Sequence, residues 1–392
     1  MSARTQRGVA GVALVAAMFA GPVWPAHADA GCATAKGVYK QGTPWAQQLL
    51  DPQRIWPLSD GTGQTVAVIG TGVDAANTQF APGQVLPGAD LLPGAAAYAS
   101  ADSDCDGRGT FAAGLVGAQA SPSTTFAGLA PGVRLLPVRY TQSTGGGAQA
   151  GDPARLATAI RTATAAHAGV ILVVVPATAD SARLRSAVAD AIRGGAVVVS
   201  PAAAGQAGAH SYPTADPGVI GVGSVDAHGA AQQPETGALL AAPGANLVST
   251  APARTGHAWG VTDPQFAAAF VAGAAALLRA YRPELTPAQV VTRLTGTADH
   301  PATAGRDARL GWGVIDPYLA LTSTRSVDAA ASNAPTARPR RIAPAAAPAR
   351  RPTPDRWPGV LAIIGLAAAA TAGLAAAAVR RGGARRWQSG RI

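Results

Sequence analysis

Five short apolar runs constrain this chain most. They are TVAVI (65–69), VRLLPVRY (133–140), GVILVVVP (169–176), AVVVSP (196–201) and GVIGVGSV (218–225), each bounded by glycine or proline. They are continuous rather than alternating, as strands buried on both faces require, and that points to a parallel sheet. Helix-period segments stand between them, DPARLATAIRTATAAHAG (152–169) and DSARLRSAVADAIRGG (180–195). The alternation predicts one α/β domain, a mostly parallel central sheet flanked by helices with right-handed crossovers. A small-residue helix, FAAAFVAGAAALLRAYRPEL (266–285), follows, then TPAQVVTRLTGTA, whose Thr286-Pro287 opening supplies an N-cap and an N1 proline. Ahead of the first strand, TPWAQQLLDPQRIWPLSDGTG (43–63) reads as a short helix and an apolar patch within an irregular stretch, 31–63.

The two ends belong to no fold. Residues 1–30 carry Arg4 and Arg7, then GVAGVALVAAMFAG, then AHADA. Basic, apolar and small residues in that order read as a secretory signal peptide, with cleavage after Ala28 or Ala30. Residues 326–357 are rich in proline and arginine without apolar periodicity, an extended, stiff linker. The uncharged stretch 358–379 has a length suited to a single transmembrane helix. Arg380, Arg381, Arg385 and Arg386 follow it, so the tail 380–392 is expected in the cytoplasm and the globular part outside the membrane.

The net charge of +10 invites a nucleic-acid reading. Residues 326–392, however, hold eleven arginines against two aspartates, and the signal region adds one further net positive charge. Residues 31–325 are therefore neutral, and no nucleic-acid partner is expected. The two cysteines, Cys32 and Cys105, lack C-x-x-C spacing. In an exported chain such a pair reads as one structural disulfide, worth about 2–4 kcal/mol. There is no phosphate-binding loop ending in Lys-Ser/Thr, no H-E-x-x-H and no dinucleotide fingerprint. No cofactor and no metal are expected.

Six segments in order resemble one family. They are PWAQQLLDPQRIWPLSDGTGQTVAVIGTGVD (44–74), DCDGRGTFAAGLVGAQ (104–119), FAGLAPGVRLLPVRY (126–140), YPTADPGVIGVGSVDAHG (212–229), FAAAFVAGAAALLRAYRPELTPAQVVTRLTGTADH (266–300) and GWGVIDPYLAL (311–321). Together with the signal and the anchor, they resemble the mycosins, the membrane-anchored subtilisin-like serine proteases of actinobacterial type VII secretion. The resemblance implies a subtilisin-like (S8) domain over 64–325 behind an N-terminal extension, 31–63. It also implies as partners the type VII secretion membrane components, with secreted polypeptides in the cleft.

That family's chemistry needs a serine that attacks the carbonyl, a histidine that takes its proton, an aspartate that orients the histidine, and oxyanion donors. Placed motif by motif, the family's Asp-Thr-Gly-Val is Gly70-Thr71-Gly72-Val73 here. Its His-Gly-Thr is Arg108-Gly109-Thr110, its Gly-Thr-Ser is Asp263-Pro264-Gln265, and its oxyanion Gly-Asn is Gly205-Gln206. All three triad positions are replaced, so no catalytic residue is expected. Asp74 reads as a cap on the following segment. Arg108 cannot be a base, and reads as solvated or bonded to Asp104 or Asp106. Thr262 is a candidate substitute nucleophile, weak without a histidine. His167 lies in a helix pattern, His300 follows the last long helix, and His210, His228 and His257 read as loop or surface residues.

Three functions follow from the resemblance. One is an inactive mycosin kept as a structural part or stabiliser of the secretion complex. The second is an enzyme with relocated catalytic groups. The third is a module that holds extended peptides without cutting them. The orientation is directly testable: a reporter active only outside the membrane, fused after Ile392, is expected to be silent, and activity there would reverse the topology.

Overall fold

β1 (Thr65–Gly70) is buried along its whole length and is an interior strand, the third in order, of a seven-stranded sheet. The computed structural model describes residues 32–324 apart from 97–98, 143–150, 205–208, 235–236 and 302–304. All of these belong to one compact unit, Met1–Ile342, whereas a second, Ala343–Ile392, lies wholly outside the described residues. The signal segment, the linker 326–357, the apolar span 358–379 and the tail 380–392 thus fall outside them, as does Gln206. Among the described residues no helix is long and apolar enough to cross a membrane.

The other strands of the sheet are β2 (Ala89–Asp90), β3 (Arg134–Arg139), β4 (Val170–Val173), β5 (Val197–Pro201), β6 (Ile220–Val225) and β7 (Leu240–Pro243). Their order is β2-β3-β1-β4-β5-β6-β7 and every pairing is parallel. A separate antiparallel hairpin joins β8 (Leu247–Thr250) and β9 (His257–Val261). The five apolar runs thus become β1, β3, β4, β5 and β6, as their composition demands.

The segment expected as one short helix forms two, α1 (Trp45–Leu50) and α2 (Pro52–Ile55). Asp51 between them adopts a left-handed conformation with φ 45°. Pro52 is the cause, since it has no N–H and its ring would clash with the preceding turn. α3 (Arg108–Gly117) is buried from Gly109 to Gly117, and α6 (Ala267–Tyr281) from Ala267 to Leu278. These two small-residue helices pack on each other and on the sheet, while α4 (Pro153–Ala165) and α5 (Ala182–Arg193) form a second helical pair on it. α7 (Pro287–Gly296) opens with the expected Thr286 cap, closed into a capping box by Gln289, and α8 (Pro317–Thr322) completes the described chain.

The connection leaving β1 runs through α3 to β3 on one side, and the connection leaving its neighbour β4 runs through α5 to β5 on the other, so the connections diverge at the carboxyl ends of β1 and β4. Open parallel sheets place their crevice there. Cys32 and Cys105 form the expected disulfide, which ties the start of the described chain to the loop before α3.

α3 stands closer to β1's exit turn than a side chain would allow. A Cβ on Gly109 would lie 1.8 Å from the Gly72 carbonyl oxygen. Alanine ordinarily favours a helix over glycine by about 1 kcal/mol. Gly109→Ala is nonetheless expected to destabilise the domain, by about 2–4 kcal/mol, seen as a melting temperature several degrees lower. An unchanged or higher melting temperature would show that α3 can retreat from the strand freely.

Candidate functional site

The site is assembled where β1 ends and where α3 and α6 begin. Asp104, itself buried, organises the first turn of α3. Its carboxylate accepts from the Gly107 N–H at 2.9 Å and from the Thr110 N–H and hydroxyl, both at 2.8 Å. The Thr110 hydroxyl oxygen accepts in turn from the Asp74 N–H at 2.9 Å, and the Thr71 hydroxyl accepts from the Gly109 N–H at 3.0 Å. Strand exit and helix start therefore form one hydrogen-bonded block, which fixes the direction in which residue 108 projects.

Arg108 projects towards the start of α6. Its Nη1 donates to Gln265 Oε1 at 2.8 Å and lies 3.1 Å from Asp263 Oδ2, while Nε lies 3.6 Å from Asp106 Oδ1. Of the two carboxylates expected to hold Arg108, Asp106 does so. Asp104 does not, because the helix start uses both its oxygens. The solvated reading is corrected as well, since the Arg108 side chain keeps only 18% of its accessible surface. Asp263 was not foreseen as a partner. It sits 155 residues away, and only the fold brings it near.

Asp263 has a second task. Its Oδ1 accepts the Gln265 N–H at 2.9 Å and so caps the single 3₁₀ turn, Pro264–Phe266, that leads into α6. Pro264 suits the first position of that turn, where no N–H is needed. Gln265 is buried, and the rings of Phe111 and Phe266 meet at 4.5 Å beneath the pair. Of the three positions picked out in the sequence, the structure joins Arg108 and Gln265 directly. Gly70 is not joined to them. Its carbonyl accepts from the Tyr140 N–H at 3.0 Å, and a Cβ there would stand 3.2 Å from Val174 Cβ.

A cleft of about 270 Å³ opens beside the pair, lined among others by Arg108, Phe111, Val261, Thr262, Asp263 and Phe266. The Thr262 oxygen accepts from the Asn246 N–H at 2.9 Å, a contact to backbone and not to a base. Asp74 caps no helix. It closes a turn by accepting from Ala76 N–H at 3.0 Å, and its second oxygen accepts from Ala253 N–H at 2.8 Å. The loop reading of His257 is also corrected: it opens β9 and is buried, because the hairpin turns its ring inward against Phe126. Among the described residues no three His, Cys, Asp or Glu side chains group as metal ligands.

A guanidinium hydrogen-bonded to a carboxamide can position but cannot react. A guanidinium offers donors and no acceptor, and a carboxamide is neither a base nor a useful nucleophile.

Residues 61–313 match the subtilase family, peptidase S8. Mycosin-1 of Mycolicibacterium smegmatis is 32% identical, over 82% of this chain and 80% of its own length. The crystal structure of MycP1 with its N-terminal propeptide removed agrees with a TM-score of 0.65 at 32% identity, covering 73% of this chain and 100% of that one. The chain belongs to the mycosins. A further structure, that of the serine protease MycP1 described as an essential component of the type VII (ESX-1) secretion system, gives 0.62 at 29% identity over 74% of this chain and 92% of that one.

As a mycosin, the chain keeps the subtilisin-like frame while its cleft-facing helix starts are held by an ion pair and an amide. That contact is expected to be structural. Arg108→Ala removes the donor to the buried Gln265 carboxamide and the cation beside Asp263 Oδ2, at a cost of about 1–3 kcal/mol. Thermal melting of Arg108→Ala against the parent measures it, and equal melting temperatures would show that the contact holds nothing.

Proposed function

We propose that this mycosin works without peptidase chemistry, as a structural component or stabiliser of a type VII secretion membrane complex. The hydrogen bond from Arg108 to Gln265 carries the reading. In the resemblance the two stand at the positions of the general base and the nucleophile, and their side chains are spent on each other. Gly70, at the aspartate position, has no side chain to orient a base. Triad residues act as a unit, so losing all of them leaves only what binding and the oxyanion donors provide. Gln206, at the oxyanion position, carries its amide one methylene farther from the backbone than the asparagine the family places there.

Location is part of the proposal. The signal-like residues 1–30 would export the chain, and the apolar span 358–379 would anchor it once in the cell membrane. The neutral globular domain would then lie outside, on the stiff linker 326–357, with a cytoplasmic C-terminus. In this reading the partners are the membrane components of the secretion complex.

The cleft beside Arg108 favours one second reading, in which an extended secreted polypeptide is held there without being cut. The relocated-enzyme reading rests on Thr262 alone, and among the described residues no base bonds its hydroxyl.

The purified, detergent-solubilised protein is expected neither to react with a serine-directed phosphonate nor to cleave peptides. In a strain lacking the gene, the unaltered copy should restore secretion. Labelling of the wild-type protein that Thr262→Ala abolishes would replace this reading with a rebuilt active site. Failure of the inert protein to restore secretion would remove the structural role.

A further inference from the structure

The segment 32–42 forms no helix or strand, yet it is fastened along the β8–β9 hairpin like a strap. The Cys32–Cys105 disulfide holds its first residue, and the Ala33 N–H donates to the Cys105 carbonyl at 2.8 Å. Ala33 and Thr34 then form part of the cleft wall. Further along, the strap converges on His257. The Lys36 N–H donates to the His257 carbonyl at 2.9 Å, the His257 N–H donates to the Gly37 carbonyl at 2.8 Å, and the Tyr39 N–H donates to His257 Nδ1 at 3.0 Å. Beyond that point the Thr124 and Thr125 hydroxyls hold the carbonyls of Tyr39 and Gln41.

The neighbours fix which ring nitrogen carries the proton. The Gln79 side-chain N–H groups donate to the carbonyls of Gln119 at 2.9 Å and Phe126 at 2.7 Å, so its Oε1 must face His257 Nε2. Nε2 therefore carries the hydrogen and donates it. Nδ1 is bare, which is the condition for accepting the Tyr39 N–H. A proton added to Nδ1 would set two N–H groups against each other and place a cation in a site only 4% exposed.

We propose that His257 is a pH-sensitive latch: its neutral ring holds residues 36–39 of the strap, and protonation releases them and slackens the cleft wall while the disulfide keeps the strap tethered.

Among the described residues the surroundings offer the charged ring no ion-pair partner. The strap presents the Tyr39 phenol and Lys36, whose ammonium binds the Trp259 carbonyl at 2.7 Å. The hairpin turn carries Arg254. The 74–80 turn directs Asp74 to the Ala253 N–H and otherwise offers neutral Asn77 and Gln79, and the 119–126 loop contributes the edge of Phe126 at 5.7 Å. Among the described residues no carboxylate hydrogen-bonds the ring. Burial pushes the imidazole down from its ordinary 6.5, opposed in part by the Gly37 carbonyl. A depressed folded-state value means that the latch is at full strength above 6.5 and weakens as pH falls from there towards the lowered value. The inference does not depend on whether the cleft cuts peptides.

Hydrogen exchange of the full chain in detergent micelles, corrected for intrinsic rates, tests it at neutral and mildly acidic pH. Amides 36–39 are expected to lose protection at least about tenfold on acidification while β4 amides keep theirs. The midpoint should coincide with the His257 titration followed by imidazole NMR. His257→Asn, which offers an acceptor oxygen that does not titrate, should abolish the pH dependence. Equal strap protection at both pH values in the wild-type chain overturns the latch whether or not the variant folds. So does a loss of strap protection that tracks no His257 titration.

Discussion

The backbone contact between Gly109 and the Gly72 carbonyl governs the geometry of the cleft. Glycine at 109 lets the first turn of α3 rest on the exit turn of β1, and the hydrogen bonds among Asp104, Thr110, Thr71 and Asp74 lock the two together. A parallel sheet directs its strand ends and the following helix starts to one crevice. Once this block is closed, residues 70 and 108 occupy set places around that crevice whatever their side chains are. The block therefore separates the frame from the side chains that face the crevice.

The contact across the cleft makes the same separation from the other side. Asp263, Pro264 and Gln265 rebuild the entry to α6 as a capped 3₁₀ turn, and Arg108 reaches over to bind two of those three residues. The Phe111–Phe266 contact underneath gives the two helix starts an apolar joint. The two helix starts are thus matched in charge and hydrogen bonding: a cation on α3 meets an acid and an amide at the entry to α6. The result is a self-satisfied polar cluster whose donors and acceptors are taken up by one another.

The strap adds a third device to the same face. Its attachment uses two unlike fasteners, a covalent tether at Cys32 and a buried neutral imidazole at His257. The first does not respond to pH. The second depends on a bare ring nitrogen, and so on the charge state of one side chain.

The sequence by itself determined the fold class. Continuous β-branched runs at glycine and proline boundaries have no good alternative to strands buried on both faces, and the five runs became five parallel strands. It determined the Thr286 cap as well, and the pairing of the only two cysteines, because capping is local and two cysteines leave one intramolecular partner each. Through motif order it also suggested, as part of the resemblance, that Gly70, Arg108 and Gln265 stand at the positions of the triad. Only the tertiary structure decided what those residues do. That Arg108 binds Asp263 and Gln265, that Asp104 is spent on the helix start, and that His257 is a buried acceptor all depend on contacts between segments far apart in the chain. Local periodicity carries no record of such contacts, because they are set by how helices and the hairpin close over the sheet.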